Sequence, residues 1–83
     1  MRVLRFSAEW CQPCKRLGPL MDAVADRAGV PVDLVDVDAS PEVARHYMVK
    51  AVPTVILVRD GETVWRGSGA SALPGLQTAL DSL

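Results

Sequence analysis

The only two cysteines of the chain, Cys11 and Cys14, stand one helical turn apart in Trp10-Cys11-Gln12-Pro13-Cys14-Lys15, directly after the apolar run Val3, Leu4 and Phe6. A short strand must therefore stop near Ser7-Ala8-Glu9 and a helix must start at the cysteines. Thiols at the first turn of a helix face unpaired backbone N–H groups and the positive end of the helix dipole, which favour the thiolate, the reactive form. If that field lowers the Cys11 pKa from roughly 8.5 to roughly 7, the thiolate fraction at neutral pH rises from a few per cent to about half.

Other chemistries use the same spacing. Half of a zinc site is one, but a closed site needs four ligands; with no third cysteine and His46 the only histidine, it would require carboxylates or a second subunit. A c-type haem is excluded because Lys15, not histidine, follows Cys14. A static disulfide stays open, although so short a loop constrains the unfolded chain little. A single cysteine pair in a cytoplasmic protein is more often catalytic than bracing.

At 83 residues, 49% of them apolar, the chain reads as one domain, 1–83, with an efficient small core. A net charge of -1 without a basic stripe speaks against nucleic acid. The Met1-Arg2-Val3-Leu4-Arg5 terminus lacks the form of a signal peptide, and no apolar run reaches spanning length, so a soluble, cytoplasmic protein with no membrane partner is expected.

Leu17, Leu20, Met21, Val24, Ala25 and Ala28 recur at helical spacing and predict a buried face, with Asp22, Asp26 and Arg27 on the wet side. Pro19 predicts a kink and Gly29 the helix end. Val30 to Val37 predicts a second strand, apolar on both faces and thus covered. Ser40 as N-cap and Pro41 at the first helical position open a second helix through about Met48, burying Val43, Ala44, Tyr47 and Met48. Thr54 to Val58 is a third strand, joined through Asp60-Gly61 to a fourth over Glu62 to Arg66, and Leu73, Leu76, Leu80 and Leu83 mark a last helix. The order β-α-β-α-β-β-α predicts an α/β fold: a four-stranded mixed sheet with helices on both faces.

With these residues in place the chain resembles a short thioredoxin. Trp-Cys-x-Pro-Cys-Lys after strand one, Pro19 in the helix, Val52-Pro53-Thr54 entering strand three and Asp60-Gly61-Glu62 at the hairpin match that family in order and spacing. Relative to its full-length members, a first strand and helix are absent. The resemblance implies a minimal thioredoxin fold and a thiol-disulfide oxidoreductase. Cys11, the more exposed thiol, would attack a target disulfide, and Cys14 would resolve the mixed disulfide. Pro53 matches the family's cis-proline, and Val52 would pair its backbone with the substrate. Trp10, Gln12, Pro13, Gly69 and Ala70 would complete the docking rim. The resemblance further implies no bound cofactor and no metal, electrons from NADPH through a thioredoxin reductase, ribonucleotide reductase or other protein disulfides as targets, and a monomer. A glutaredoxin-like reductant using glutathione and a non-catalytic binding module are the competing functions.

Two positions depart from the family. Arg5 stands six residues before Cys11, where thioredoxins generally carry a buried aspartate, and Leu34 replaces the lysine that pairs with it. Arginine stays protonated and cannot take over proton transfer. Either Arg5 reaches the cysteine pair and favours a thiolate, or its stem packs beneath the site while its head reaches water or an aspartate such as Asp36. Gln12 stands where the family most often has glycine. Lys15 is a second candidate for electrostatic tuning, set against a plainly solvated lysine. Asp36-Val37-Asp38 reads as a turn, His46 as a surface residue and Trp65 as a packing aromatic.

Overall fold

Strand β1 (Arg2–Ser7) sends alternate side chains to opposite faces of the sheet, and that alternation divides the interior into two layers. The structure, a computed structural model, describes residues 1–83. Val3 joins Val55 and Leu57 against one pair of helices, while Leu4 and Phe6 join Ile56 and Val58 on the other face. The elements after β1 are helix α1 (Gln12–Arg27), strand β2 (Val32–Asp36), helix α2 (Pro41–His46), strands β3 (Thr54–Arg59) and β4 (Glu62–Ser68), a 3-10 turn (Gly69–Ser71) and helix α3 (Ala72–Asp81).

The sheet order is β2-β1-β3-β4, with β1 parallel to β2 and antiparallel to β3, and β3 antiparallel to β4. The expected α/β fold, its parallel first pair and its terminal hairpin are thus all present. Met21, Val24 and Ala25 of α1 and Ala72, Leu76 and Leu80 of α3 cover one face; Val43, Ala44 and Tyr47 cover the other. Pro19 lies inside an uninterrupted α1. That helix closes with Gly29 at φ +72°, whose N–H donates to Asp26 O while Val30 N–H donates to Ala25 O. Such paired backward bonds satisfy carbonyls the helix end would leave bare. Asp60 and Gly61 both take positive φ, as a two-residue hairpin turn with the sheet's twist requires.

Several expectations need correction. Leu34 is not covered but 62% exposed, on a strand that forms the edge of the sheet. Leu20, Ala28 and Met48 are exposed rather than buried; Met48 lies beyond the last turn of α2, which ends at His46, and Leu83 lies beyond α3, which ends at Asp81. β2 is shorter than expected and β4 longer, running through Gly67 to Ser68. Ser40 makes no side-chain cap bond. Asp22 is half-buried and ion-paired rather than free on a wet face.

Candidate active site

The antiparallel register of β1 and β3 sets Phe6 opposite Thr54, so the residues just beyond the end of β1 lie beside those just before β3. That single pairing brings the cysteine motif and Val52-Pro53 together across some forty residues of chain. Ala8, Cys11 and Cys14 form a small buried cluster with Val37 and Val52 packed against it. The Val52-Pro53 peptide bond is cis, and Pro53 is buried. Thr54 is opposite Ser68, and one step further Gly69 N–H donates to Pro53 O at 2.9 Å, which fixes Gly69 beside the proline with Ala70 exposed next to it.

Cys11 and Cys14 are joined as a disulfide, with Cα atoms 5.3 Å apart. Cys11 is the N-cap of α1, and its Sγ accepts the Cys14 N–H at 3.2 Å. Pro13 in the first turn costs nothing there, because that turn's N–H groups have no intrahelical acceptor. In this disulfide form the two cysteines are 4% and 3% exposed, so burial does not make Cys11 the more open thiol. Their difference lies in position: one caps the helix, and the other sits inside its first turn. Gln12, Pro13 and Lys15 are exposed.

Trp10 is 66% exposed, which excludes a simple packing role. Its indole N–H donates to Asp38 at 2.9 Å, and the ring walls an apolar hollow of about 130 Å³ together with Val37, Val49, Ala51 and Val52. Asp38 and Val37 carry this part of the site, yet in sequence Val37 reads as the last residue of a covered strand and Asp38 as part of a turn. Asp36 accepts the N–H groups of Asp38 and Ala39 and so shapes that turn. It is not the partner of Arg5.

Arg5 instead turns toward α1. Nε donates to Asp22 Oδ1 at 2.9 Å and Nη2 to Asp22 Oδ2 at 3.1 Å, and the guanidinium covers Gly18, one turn beyond Cys14. Its charge is met by a carboxylate at that point. Trp65 packs against the core rather than facing outward as a docking residue, its ring lying over Gly67 and Gly75. No group of three or more His, Cys, Asp or Glu side chains is placed to hold a metal ion.

The thioredoxin family model matches residues 1–82. The chain is 40% identical over 83 residues to the thioredoxin of Mycobacterium bovis, an alignment covering 98% of this chain and 72% of that one. It is 44% identical over 68 residues to the thioredoxin of Chlamydia trachomatis, covering 81% and 67%. The X-ray structure of Fasciola hepatica thioredoxin superposes with a TM-score of 0.86 at 36% identity, over 96% of this chain and 77% of that one. Thioredoxin 1 of Thermosipho africanus has the same fold, with a TM-score of 0.93 at 21% identity over 99% and 92% of the two chains. With the paired cysteines at the start of α1, these likenesses make the chain a member of the thioredoxin family and a thiol-disulfide oxidoreductase.

Proposed function

We propose that residues 1–83 act as a single monomeric, cytoplasmic domain that reduces protein disulfides, with Cys11 attacking and Cys14 resolving. The observation that carries the assignment is the Cys14 N–H aimed at Cys11 Sγ at the N-terminus of α1. A donor and a helix dipole at that sulfur favour the charged form that does the attacking.

In the reduced protein the Cys11 thiolate attacks one sulfur of the target disulfide. A Cys11–target bond forms, the target's own S–S bond breaks, and one target thiolate leaves and takes a proton from water. Cys14 then loses its proton and attacks Cys11 Sγ; the intramolecular disulfide forms and the second target thiolate departs. Two electrons have passed to the target. Arg5 cannot accept the Cys14 proton, so water or the departing thiolate takes it. Electrons return from NADPH through a thioredoxin reductase, and no cofactor is needed on this chain. A use of its one cysteine pair in exchange fits a reducing compartment.

Trp10, Gln12, Pro13, Val52, Pro53, Gly69 and Ala70 form the docking rim of this reading. The hollow between Trp10 and Val52 supports it, being apolar and adjacent to the disulfide. Lys15, exposed in the first turn, adds positive charge near Cys11, whereas Arg5 is not given a tuning role because Asp22 takes up its guanidinium. Ribonucleotide reductase is one target class consistent with the family, among other protein disulfides.

Reduction of insulin by dithiothreitol tests the activity. The intact protein accelerates it and Cys11→Ser abolishes the acceleration; an inert intact protein refutes the reading, and activity that needs glutathione points to the glutaredoxin type. Cys14→Ser in a cell extract accumulates mixed disulfides on Cys11 and names the targets.

A further inference from the structure

The segment Val49–Val52 is a ridge with different chemistry on its two sides. Toward Trp10 lies the mostly apolar hollow already described, which Lys50 also borders. Toward β4 lies a second hollow of about 270 Å³, bordered by Met48, Lys50, Ala51, Thr54, Arg66 and Ser68, residues that flank Val52-Pro53 in the chain and across the β3–β4 pair. Its two charged residues are both cations, and both are exposed.

Neither cation is neutralised. The ion pairs of the molecule are Arg2–Asp33 and Arg5–Asp22, and neither Lys50 nor Arg66 takes part in one. Arg66 is nonetheless held in place: Nη1 donates to Tyr47 O at 2.6 Å and Nη2 to Met48 O at 3.4 Å. Those carbonyls fix the guanidinium without cancelling its charge, and leave its other N–H groups free for an acceptor. The opposite flank of the site has the reverse sign. Glu9 and Asp36 border a hollow there with Lys15, and Asp38 holds Trp10. The charge across the docking rim is therefore divided, positive beyond Val52 and mainly negative beyond Trp10.

We propose that Lys50 and Arg66 form a cationic subsite that binds an acidic side chain next to the target cysteine, so that the preferred targets carry Asp or Glu on that side. The inference rests on the reductase reading and adds the class of target to it. A target strand running along Val52 reaches Lys50 after two residues, about 7 Å along an extended chain, which puts the acidic residue within two or three positions of the attacked cysteine. A lysine there would meet two like charges, and a divided rim rejects the reversed orientation by the same repulsion.

The test uses three short disulfide peptides that differ only in flanking glutamate, serine or lysine, with kcat/KM measured by thiol release at low and at high salt. The glutamate peptide is the best substrate at low salt, mainly through KM because the charge lies away from the reacting sulfurs. The glutamate-to-lysine ratio falls by about two- to fivefold in Lys50→Gln, the range of exposed ion pairs. It is kept in Lys50→Arg, and it shrinks toward one at high salt. Arg66→Lys, which retains charge but loses the forked bond to Tyr47 and Met48, lowers the ratio partway. Three peptides reduced at one rate, or a ratio indifferent to Lys50→Gln, overturn the subsite and leave the reductase standing. Failure to reduce any of them overturns both.

Discussion

Arg5 and Asp22 clasp β1 to α1 through a two-pronged hydrogen bond, 2.9 and 3.1 Å long, laid across Gly18. The Asp22 side chain is 44% exposed, so water screens the pair, and a double-mutant cycle with Arg5→Met and Asp22→Asn is expected to return about 0.5–1 kcal/mol of coupling. Because this charge is met by Asp22 rather than turned to the sulfurs, Arg5→Met should leave the Cys11 thiolate titration and the reduction potential where they are. A shift in either, followed by thiolate absorbance and by equilibration against glutathione, would show that the guanidinium acts on the disulfide after all.

A Cβ on Gly18 would stand 2.5 Å from Arg5 Nη1 and 3.0 Å from Cζ, so Gly18→Ala must push the guanidinium aside. The helix gains about 1 kcal/mol from replacing glycine, and the displaced pair loses a similar amount. Chemical denaturation is therefore expected to show a net change within about 1 kcal/mol of zero. The coupling between Arg5 and Asp22 should vanish in this background; a cycle that returns the same coupling in both backgrounds refutes the displacement.

Gly75 of α3 faces a less yielding neighbour. An added Cβ would meet Trp65 Cζ2 at 2.6 Å, and the ring is already wedged over Gly67, where a Cβ would lie 2.7 Å away. Overpacking of about 1–3 kcal/mol outweighs the helix gain of about 1. Gly75→Ala is thus expected to destabilise by roughly 1 kcal/mol, and Trp65→Phe in the same chain should recover part of that loss.

Asp33 sets part of the acid limb of stability. Hydrogen bonds from Arg2 hold its carboxyl below the ordinary carboxylate range, against a smaller opposing effect of desolvation. A carboxylate lowered on folding stabilises the protein above its unfolded pKa of roughly 4 and loses that contribution as pH falls through the lower, folded value. Thermal melts of Asp33→Asn should accordingly fall less steeply below about pH 4 than those of the parent, while the two curves run parallel near neutrality.

Asp38→Ala should free the Trp10 indole from its only hydrogen-bond partner. The expected result is lower fluorescence anisotropy from Trp10, measured in a Trp65→Phe background, and a KM for protein disulfides raised about two- to fivefold, as for loss of one exposed polar contact. Unchanged anisotropy would mean that packing alone orients the ring.

Patterns of local origin were legible in the chain. The apolar run of β1, the Pro41 helix start and the Asp60-Gly61 turn follow from constraints within a few residues, and each stands where the spacing put it. What could not be read depends on which strand lies beside which. Leu34 is apolar in a strand, and nothing local distinguishes an edge strand from a central one. Asp22 obeyed the helical period of a solvated position, but its partner is on a strand 17 residues earlier. Asp38 has the composition of a turn and tethers a tryptophan 28 residues away. Arg66 reaches Tyr47 and Met48 only because β4 runs alongside β3. For the site, the cysteine pair announced itself by spacing, while the packing of Val37 against it and the tether of Trp10 to Asp38 required coordinates.

Cys11 Sγ serves at once as reagent and as the capping acceptor at the start of the helix that follows it. The usual alanine control is therefore ambiguous at this position: it removes the chemistry and also unties the helix, at a cost of about 1 kcal/mol for a lost cap. Serine separates the two, keeping an acceptor at the same place while removing the sulfur. Each turnover, moreover, changes what that acceptor is bonded to, from a proton-free thiolate to the target's sulfur and then to Cys14, so the helix cap and the reaction share one atom throughout.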